Sequence, residues 1–458
     1  MKTRRVSGGR TALWMVAAGF GVGCGGGGAT GEPDPTMTGP GPDPTMMVAD
    51  PAAFTEEEAA SVQNSLGVLP GGMTLDLSNK YADHAGAATL GQKFYFETRY
   101  SANGKVSCAT CHKPDAGFQD DRANTSMGLD QMFTGRHAPT VINAAFGSGK
   151  MDESCWHFWD GRRDSQWAQA LGPPESPVEM GGTRTGVALL IYDHYRAEYE
   201  AVFGPIPELR PGGMAVAPLT AMPGAPEWDA LPETAKHDIN AVYVNFGKAI
   251  AAYERKIVSR NSRFDRFYAE FTAGKTDSAH LTAEEKLGLK VFVGKGRCIA
   301  CHRGPAFSDW KFHNIAEPQL GPHLPEVDAG RAEGIAGAVS AEFNCMSEWS
   351  DHPDKASCTV ATTSSKPGDM GAFKTPGLRD ISKQAPYMHT GRLNTLAEVV
   401  DHYDQGGAQS GFVGMVDRDV QKLNLTPAEK AALVKFMLAL DGEPLPPHLL
   451  TAPALPGI

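Results

Sequence analysis

The chain has 458 residues, 41% of them hydrophobic and 21% charged, with a formal net charge of −11. That apolar content suffices for packed cores in two or three domains of ordinary size. With no basic run after residue 10, the chain has nothing to track a phosphate backbone, which excludes a nucleic-acid binder and leaves a small basic protein as a docking partner.

At the N-terminus, Lys2, Arg4, Arg5 and Arg10 flank "TALWMVAAGFGVG", an apolar stretch too short to span a bilayer comfortably, so residues 1–24 read as an export signal. The segment "GVGC", residues 21–24, resembles a bacterial lipoprotein box with Cys24 as the lipidated residue, although Gly21 stands where leucine is usual. A plain signal peptide is the alternative. Residues 25–50 hold almost nothing to bury and read as a flexible Gly/Pro-rich tether. No later hydrophobic stretch reaches membrane-helix length, so a periplasmic or otherwise extracytoplasmic protein is expected, on a membrane only through a lipid at Cys24.

From residue 51 the periodicity is helical and sustained strand-like alternation is scarce, which predicts a mainly α protein with little β structure. "ATLGQKFYFETRYSANGKVSCATCH", residues 88–112, offers a helix, a glycine turn and Cys-x-x-Cys-His. The Pro/Gly-rich segment 204–235 is the expected boundary between domains at 51–235 and 236–458. "HDINAVYVNFGKAIAAYERKIV" follows, with Val242, Phe246, Ile250, Tyr253 and Ile257 at helical spacing, a long amphipathic helix expected to open the second half. "LTAEEKLGLKVFVGKGRCIACH", residues 281–302, repeats the helix-turn-motif order, its helix capped by Thr282 with Glu285 three residues on. The repetition suggests duplication. "TLAEVVDHYDQGG" starts with another capping box, Thr395 and Glu398, and places Val399 and Tyr403 on one helix face.

The 8 cysteines stand at 24, 108, 111, 155, 298, 301, 345 and 358. Two copies of Cys-x-x-Cys-His, at Cys108, Cys111, His112 and at Cys298, Cys301, His302, dominate the chemistry. A zinc site wants two further Cys or His ligands near each pair, at spacings that are missing here. A thioredoxin-like dithiol needs neither the histidine nor the duplication. Two covalent c-type haems fit best, the thiols adding to the vinyl groups and His112 and His302 reaching each iron from one face. Cys345 and Cys358 lie in a Gly/Ser-rich insertion where they could close a short disulfide loop, which would leave Cys155 unpaired.

The segments "RYSANGKVSCATCH", "GRHAPTVINAAF", "FWDGRRDSQWAQALGPPESPVEM", "GRCIACHRGPAFSD", "FKTPGLRDIS" and "APYMHTGRLNTLAEVVDHY" occur in the order seen in the bacterial di-haem cytochrome c peroxidase superfamily, which includes the MauG-type enzymes. The resemblance runs from about residue 85 to 440. It implies two cytochrome-c-like haem domains, an N-terminal haem that reacts with peroxide and a C-terminal haem that passes electrons or shares oxidising equivalents. It assigns Gln169 and Glu179 to the distal pocket, Glu179 as acid/base, with Pro173 lining that pocket and Trp159 carrying an electron or hole between the haems. Read without it, Gln169 and Glu179 are solvated polar residues and Trp159 a core aromatic.

Two departures from the ordinary peroxidase pattern set the subclass. Many relatives carry a blocking histidine seven residues before the arginine of "RNAPT"; here that residue is Leu129, which cannot ligate iron, so the N-terminal haem is expected open at rest. Fourteen residues after His389, where ordinary peroxidases place a ligating methionine, stands Tyr403. A phenolate would lower the potential of the C-terminal haem and favour its oxidised states. A structural tyrosine is the bland alternative, and Met388, His402 and Met415 are weaker ligand candidates. The superfamily often binds calcium between its domains, but His137 replaces the usual asparagine and is a poor calcium ligand. His313 is either close to a haem or a satisfied structural histidine.

Three functions are compatible with these residues. The first is a peroxidase reducing hydrogen peroxide with electrons from a small redox protein such as a cytochrome c or cupredoxin. The second is a MauG-like bis-Fe(IV) oxidase modifying tryptophan or tyrosine of a protein substrate. The third is a non-enzymatic multihaem electron carrier, against which the polar pocket and the open iron argue.

Overall fold

The computed structural model describes residues 53–122, 124–147, 156–275 and 277–457. The export signal with Cys24, the whole tether, and Cys155 lie outside the described residues. Among the described residues the structure is mainly helical, and its one sheet pairs Phe312–His313 with Phe373–Lys374 antiparallel. None of these helices is long and apolar enough to cross a membrane.

Two hydrophobic cores carry the architecture. The first gathers Ala85–Phe96, Gln166–Ala170, Arg184–His194 and the 22-residue helix Glu233–Glu254. That long helix forms where the spacing predicts it, and Val242, Phe246, Ile250, Tyr253 and Ile257 are all buried in this core. It therefore packs with the N-terminal motif, although it follows the Pro/Gly-rich segment in the chain. The second core gathers Arg263–Thr272, Ala283–Val293, Leu396–Asp404 and Pro427–Leu438, and draws in Val62 and Leu66 from near the start of the described chain. Capping boxes at Thr282/Glu285 and Thr395/Glu398 begin two of these helices, each threonine hydroxyl accepting from the amide of its glutamate while the glutamate carboxylate accepts from the threonine amide.

The same backbone crossing holds each core. A Cβ added at Gly91 would lie 1.8 Å from the Ala249 carbonyl oxygen, and one at Gly288 would lie 2.0 Å from that of Ala432. Only glycine permits so close an approach. In both halves the glycine helix leads into a Cys-x-x-Cys-His turn, and the crossing fixes where that turn projects. A buried disulfide, Cys345–Cys358, joins residues 13 positions apart and closes a short loop of the insertion after the second motif.

Candidate active site

The first motif is one helical turn, Cys108–Cys111, which brings the two thiols to one side. His112 follows at its end. Its Nδ1 lies 2.9 Å from the Pro139 carbonyl. A carbonyl can only accept, so Nδ1 carries the proton and Nε2 keeps its lone pair for a ligand. The Tyr95 hydroxyl donates to the His112 carbonyl at 2.8 Å and braces the turn. In the second motif His302 repeats the arrangement, with Nδ1 2.9 Å from the Phe307 carbonyl. All four motif cysteines are free of disulfides. Burial pushes Cys108 and Cys298 up to about 12 and Cys111 to about 11, the opposite of the lowered value a reactive dithiol needs.

A cavity of about 730 Å³ opens beside the first motif, within the range of sites for sizeable ligands. Cys111, His112, Trp159, Gln169, Pro173 and Glu179 all line it. Gln169 comes from the short helix Gln166–Ala170, started by Ser165, whose hydroxyl accepts from the Ala168 amide. Pro173 sits in the next turn, Gly172–Glu175, and Glu179 at the end of the loop that follows, its amide donating to the Ser176 carbonyl. Leu129 donates its amide to the Glu179 carbonyl at 2.8 Å. Its side chain packs over Gly181, where an added Cβ would lie 2.6 Å from Leu129 Cδ2. Residue 129 is thus a neighbour of Glu179 and not a lining residue of the cavity.

The profile of the di-haem cytochrome c peroxidase family matches residues 85–273. The cytochrome-c peroxidase IdrP2 of Denitromonas iodatirespirans is 34% identical over 380 residues, 82% of this chain and 86% of that protein. The chain belongs to the di-haem cytochrome c peroxidase family. The methylamine utilization protein MauG of Methylorubrum extorquens is 29% identical over 80% of each chain. Among solved structures, the fold matches a MauG-like protein associated with microbial copper homeostasis at a TM-score of 0.56 and 24% identity, covering 84% of this chain and 98% of that one. The di-haem peroxidase BthA of Burkholderia thailandensis matches with the same TM-score and 20% identity, over 82% and 95%. Family membership makes the protein an oxidoreductase acting on peroxide and carrying two covalently bound haem c groups. The paired free thiols, the two histidines with Nε2 unspent and the cavity against His112 fit those groups.

Tyr403 lies on the helix Leu396–Asp404. Burial, and after it the nearby Cys301 and Cys298 thiols and Glu317, push its phenol well above the ordinary tyrosine range, which sets the ring beside the second motif. The other candidates are placed differently. His402 Nε2 donates to the Ile315 carbonyl at 2.9 Å, Met415 is 64% exposed, and Met388 lines the first cavity.

Trp159 is held in place by its neighbours. Its indole Nε1 donates to the His137 carbonyl at 2.8 Å, and the His137 amide donates to the His389 carbonyl at 2.8 Å. The Trp159 and His389 rings stand 6.4 Å apart. Arg136 clamps this region, bidentate to Asp328 at 2.7 Å and bonded to Asp160 at 2.6 Å. Burial opposes its charge, yet the two carboxylates hold it firmly protonated.

His137 does not fit calcium. Its Nδ1 donates to the Asn124 carbonyl at 2.7 Å, leaving a buried nitrogen lone pair at Nε2 where a hard cation wants oxygen. His313 lies between Asp309, at 3.1 Å, and Asp417, at 2.6 Å. Burial lowers its basicity, but Asp309, Cys301 and Asp417 outweigh it and push the imidazole up to about 11. It is a charged, satisfied histidine close to the second motif. Sequence reasoning missed Arg136 with Asp328 and Asp160, and missed Glu254, which also lines the cavity. Their partners are far away in sequence, so no local pattern announces them.

Proposed function

We propose that the chain reduces hydrogen peroxide at the first haem, with the second haem feeding it electrons through Trp159. The observation that carries this reading is the convergence of Gln169, Pro173, Glu179 and Trp159 on the cavity that His112 lines. Haem iron supplies the electrons that cleave the O–O bond. The protein must move protons: H2O2 + 2e⁻ + 2H⁺ gives two waters, and cleavage needs one proton taken from the inner oxygen and one given to the outer. Glu179 is the group for that transfer, the Gln169 amide orients the peroxide, and Pro173 excludes water from one side. Leu129 packs onto Gly181 and offers no ligating atom, so with haem attached this position would leave the site open to peroxide without a preceding reduction. Tyr403 would hold the second iron. The electron donor is a small redox protein, a cytochrome c or a cupredoxin, and the paired-motif chemistry belongs to an extracytoplasmic setting, with Cys24 lipidated if the anchor is used.

A second reading, oxidation of a partner protein's tryptophan or tyrosine in the MauG manner, is favoured by Leu129 and Tyr403 together. A phenolate ligand would lower the potential of the second haem, making it a poor acceptor of electrons from an ordinary donor and suiting it to hold an oxidising equivalent. One rapid-mixing experiment tests the shared step. The diferric protein, with no reductant added, is expected to react with peroxide within the mixing phase. A requirement for prior reduction of one haem, or a bis-histidine spectrum at rest, would overturn the open-site reading.

A further inference from the structure

The proposed function leaves one buried acid of the peroxide cavity unused. Glu254 ends the helix Glu233–Glu254, is 6% exposed, and lines the same cavity as His112, Gln169 and Glu179. Gln166 Nε2 donates to its Oε2 at 2.7 Å, the one hydrogen bond of its carboxylate among the described residues. No cation meets it. Arg255, next in the chain, turns instead to Asp83 and the Thr74 carbonyl. The titratable groups that face Glu254 are Tyr95 from the helix Ala85–Phe96, Cys108 from the motif turn and Tyr253 from its own helix. None of them is positive. Gln166 keeps its Oε1 buried without a partner.

Three other buried carboxylates meet a cation, Asp120 with Arg122, Asp160 with Arg136 and Asp265 with Arg379, whereas Asp164, which like Glu254 has no ion pair among the described residues, does not line the cavity. A carboxylate removed from water with no counter-ion is costly and takes up a proton instead. Burial pushes the Glu254 carboxyl up to about 7. The occupant of this cavity changes its charge by one with each electron it gains or loses, and in a low-dielectric wall such a change is felt by every ionisable neighbour.

We propose that Glu254 is a redox-linked proton acceptor of the first haem site, taking a proton from solvent as an electron enters that site and releasing it as the electron leaves for peroxide. Gln166 is the positioning residue that fixes the carboxyl against the cavity. The inference rests on the haem being attached at Cys108 and Cys111. The balance is one proton per electron, and the electrons come from the donor protein. The sign follows from charge. An added electron raises the affinity of Glu254 for a proton, so the potential of the first haem falls as pH rises between the carboxyl's pKa in the oxidised and in the reduced site. A neutral amide at 254 removes that slope and leaves a higher potential on the alkaline side.

The test is spectroelectrochemical titration of the first haem in the full holoprotein, from about pH 5.5 to about pH 8.5, in wild type and Glu254→Gln. Reduced-minus-oxidised infrared spectra of both supply a second readout. The wild-type potential is expected to fall with pH through neutrality, with a protonated-carboxyl band growing on reduction. Glu254→Gln, nearly isosteric, should flatten the slope and abolish the band. An equal slope in both proteins, or a flat wild type, overturns the proposal. The mass of covalently attached haem separates the failures. Loss of haem from the first motif sinks the functional reading along with Glu254, whereas two haems and an unchanged slope sink Glu254 alone.

Discussion

Glu179, the proposed acid/base, borders the cavity, and its backbone holds the loop to Ser176 and Leu129. General acid–base groups of this kind contribute about 10²–10⁴-fold. Glu179→Gln should slow peroxide cleavage within that range while both haems stay attached, read by stopped-flow mixing against haem mass. Wild-type kinetics in the variant would remove Glu179 from the chemistry. Tyr403 allows a test of ligation separate from catalysis. If its phenolate holds the second iron, Tyr403→Phe should open that sixth position and raise the haem's potential, because an anionic donor is lost. An unchanged resting spectrum and potential would make Tyr403 structural and hand the ligand role to a methionine or histidine.

At the level of elements, Gly91 and Gly288 decide whether the motif turns are presented at all. Each sits where one helix backbone touches another, so Gly91→Ala or Gly288→Ala must push the helices apart. Overpacking of this kind costs about 1–3 kcal/mol. Each variant should lower the thermal midpoint and loosen the haem environment of its own half while the other half's spectrum holds; stability equal to wild type would show that the crossing relaxes freely. Elements such as these show what sequence can and cannot carry. The two motifs, the capping boxes at Thr282 and Thr395 and the apolar stripe of Val242 to Ile257 are local, set by spacings of three, four or seven residues, and were legible. The side on which the long helix packs was not. Its stripe says that a face is buried, but only the Gly91–Ala249 contact says against what. Arg136 with Asp328, Glu254 with Gln166 and His137 with Asn124 join residues separated by anything from 13 to 192 positions, and charge or amide chemistry alone does not select among so many possible partners.

Over the whole molecule, the question is how two cores with separate motifs act as one enzyme. Trp159, the proposed carrier between the haems, is fixed in place: its indole donates to the His137 carbonyl, the His137 amide donates to the His389 carbonyl, and the Trp159 carbonyl accepts from the Lys374 amide at 2.7 Å. Arg136, locked between Asp160 and Asp328, keeps the stretches that carry these residues from sliding. Such a seam gives an aromatic ring one position, and electron passage is sensitive to that position in a way that peroxide binding is not. Trp159→Phe loses the indole N–H and part of the ring while leaving Glu179, Gln169 and His112 untouched. The first addition of peroxide to the fully oxidised variant should proceed at nearly the wild-type rate, since the distal groups are intact. Steady-state turnover with a donor protein should fall by at least about tenfold, since electrons from the second haem must now cross without the indole. Comparing single-turnover and steady-state rates on one preparation distinguishes the cases. Equal losses in both would mean that Trp159 shapes the peroxide cavity, and no loss in either would mean that the haems communicate by another path.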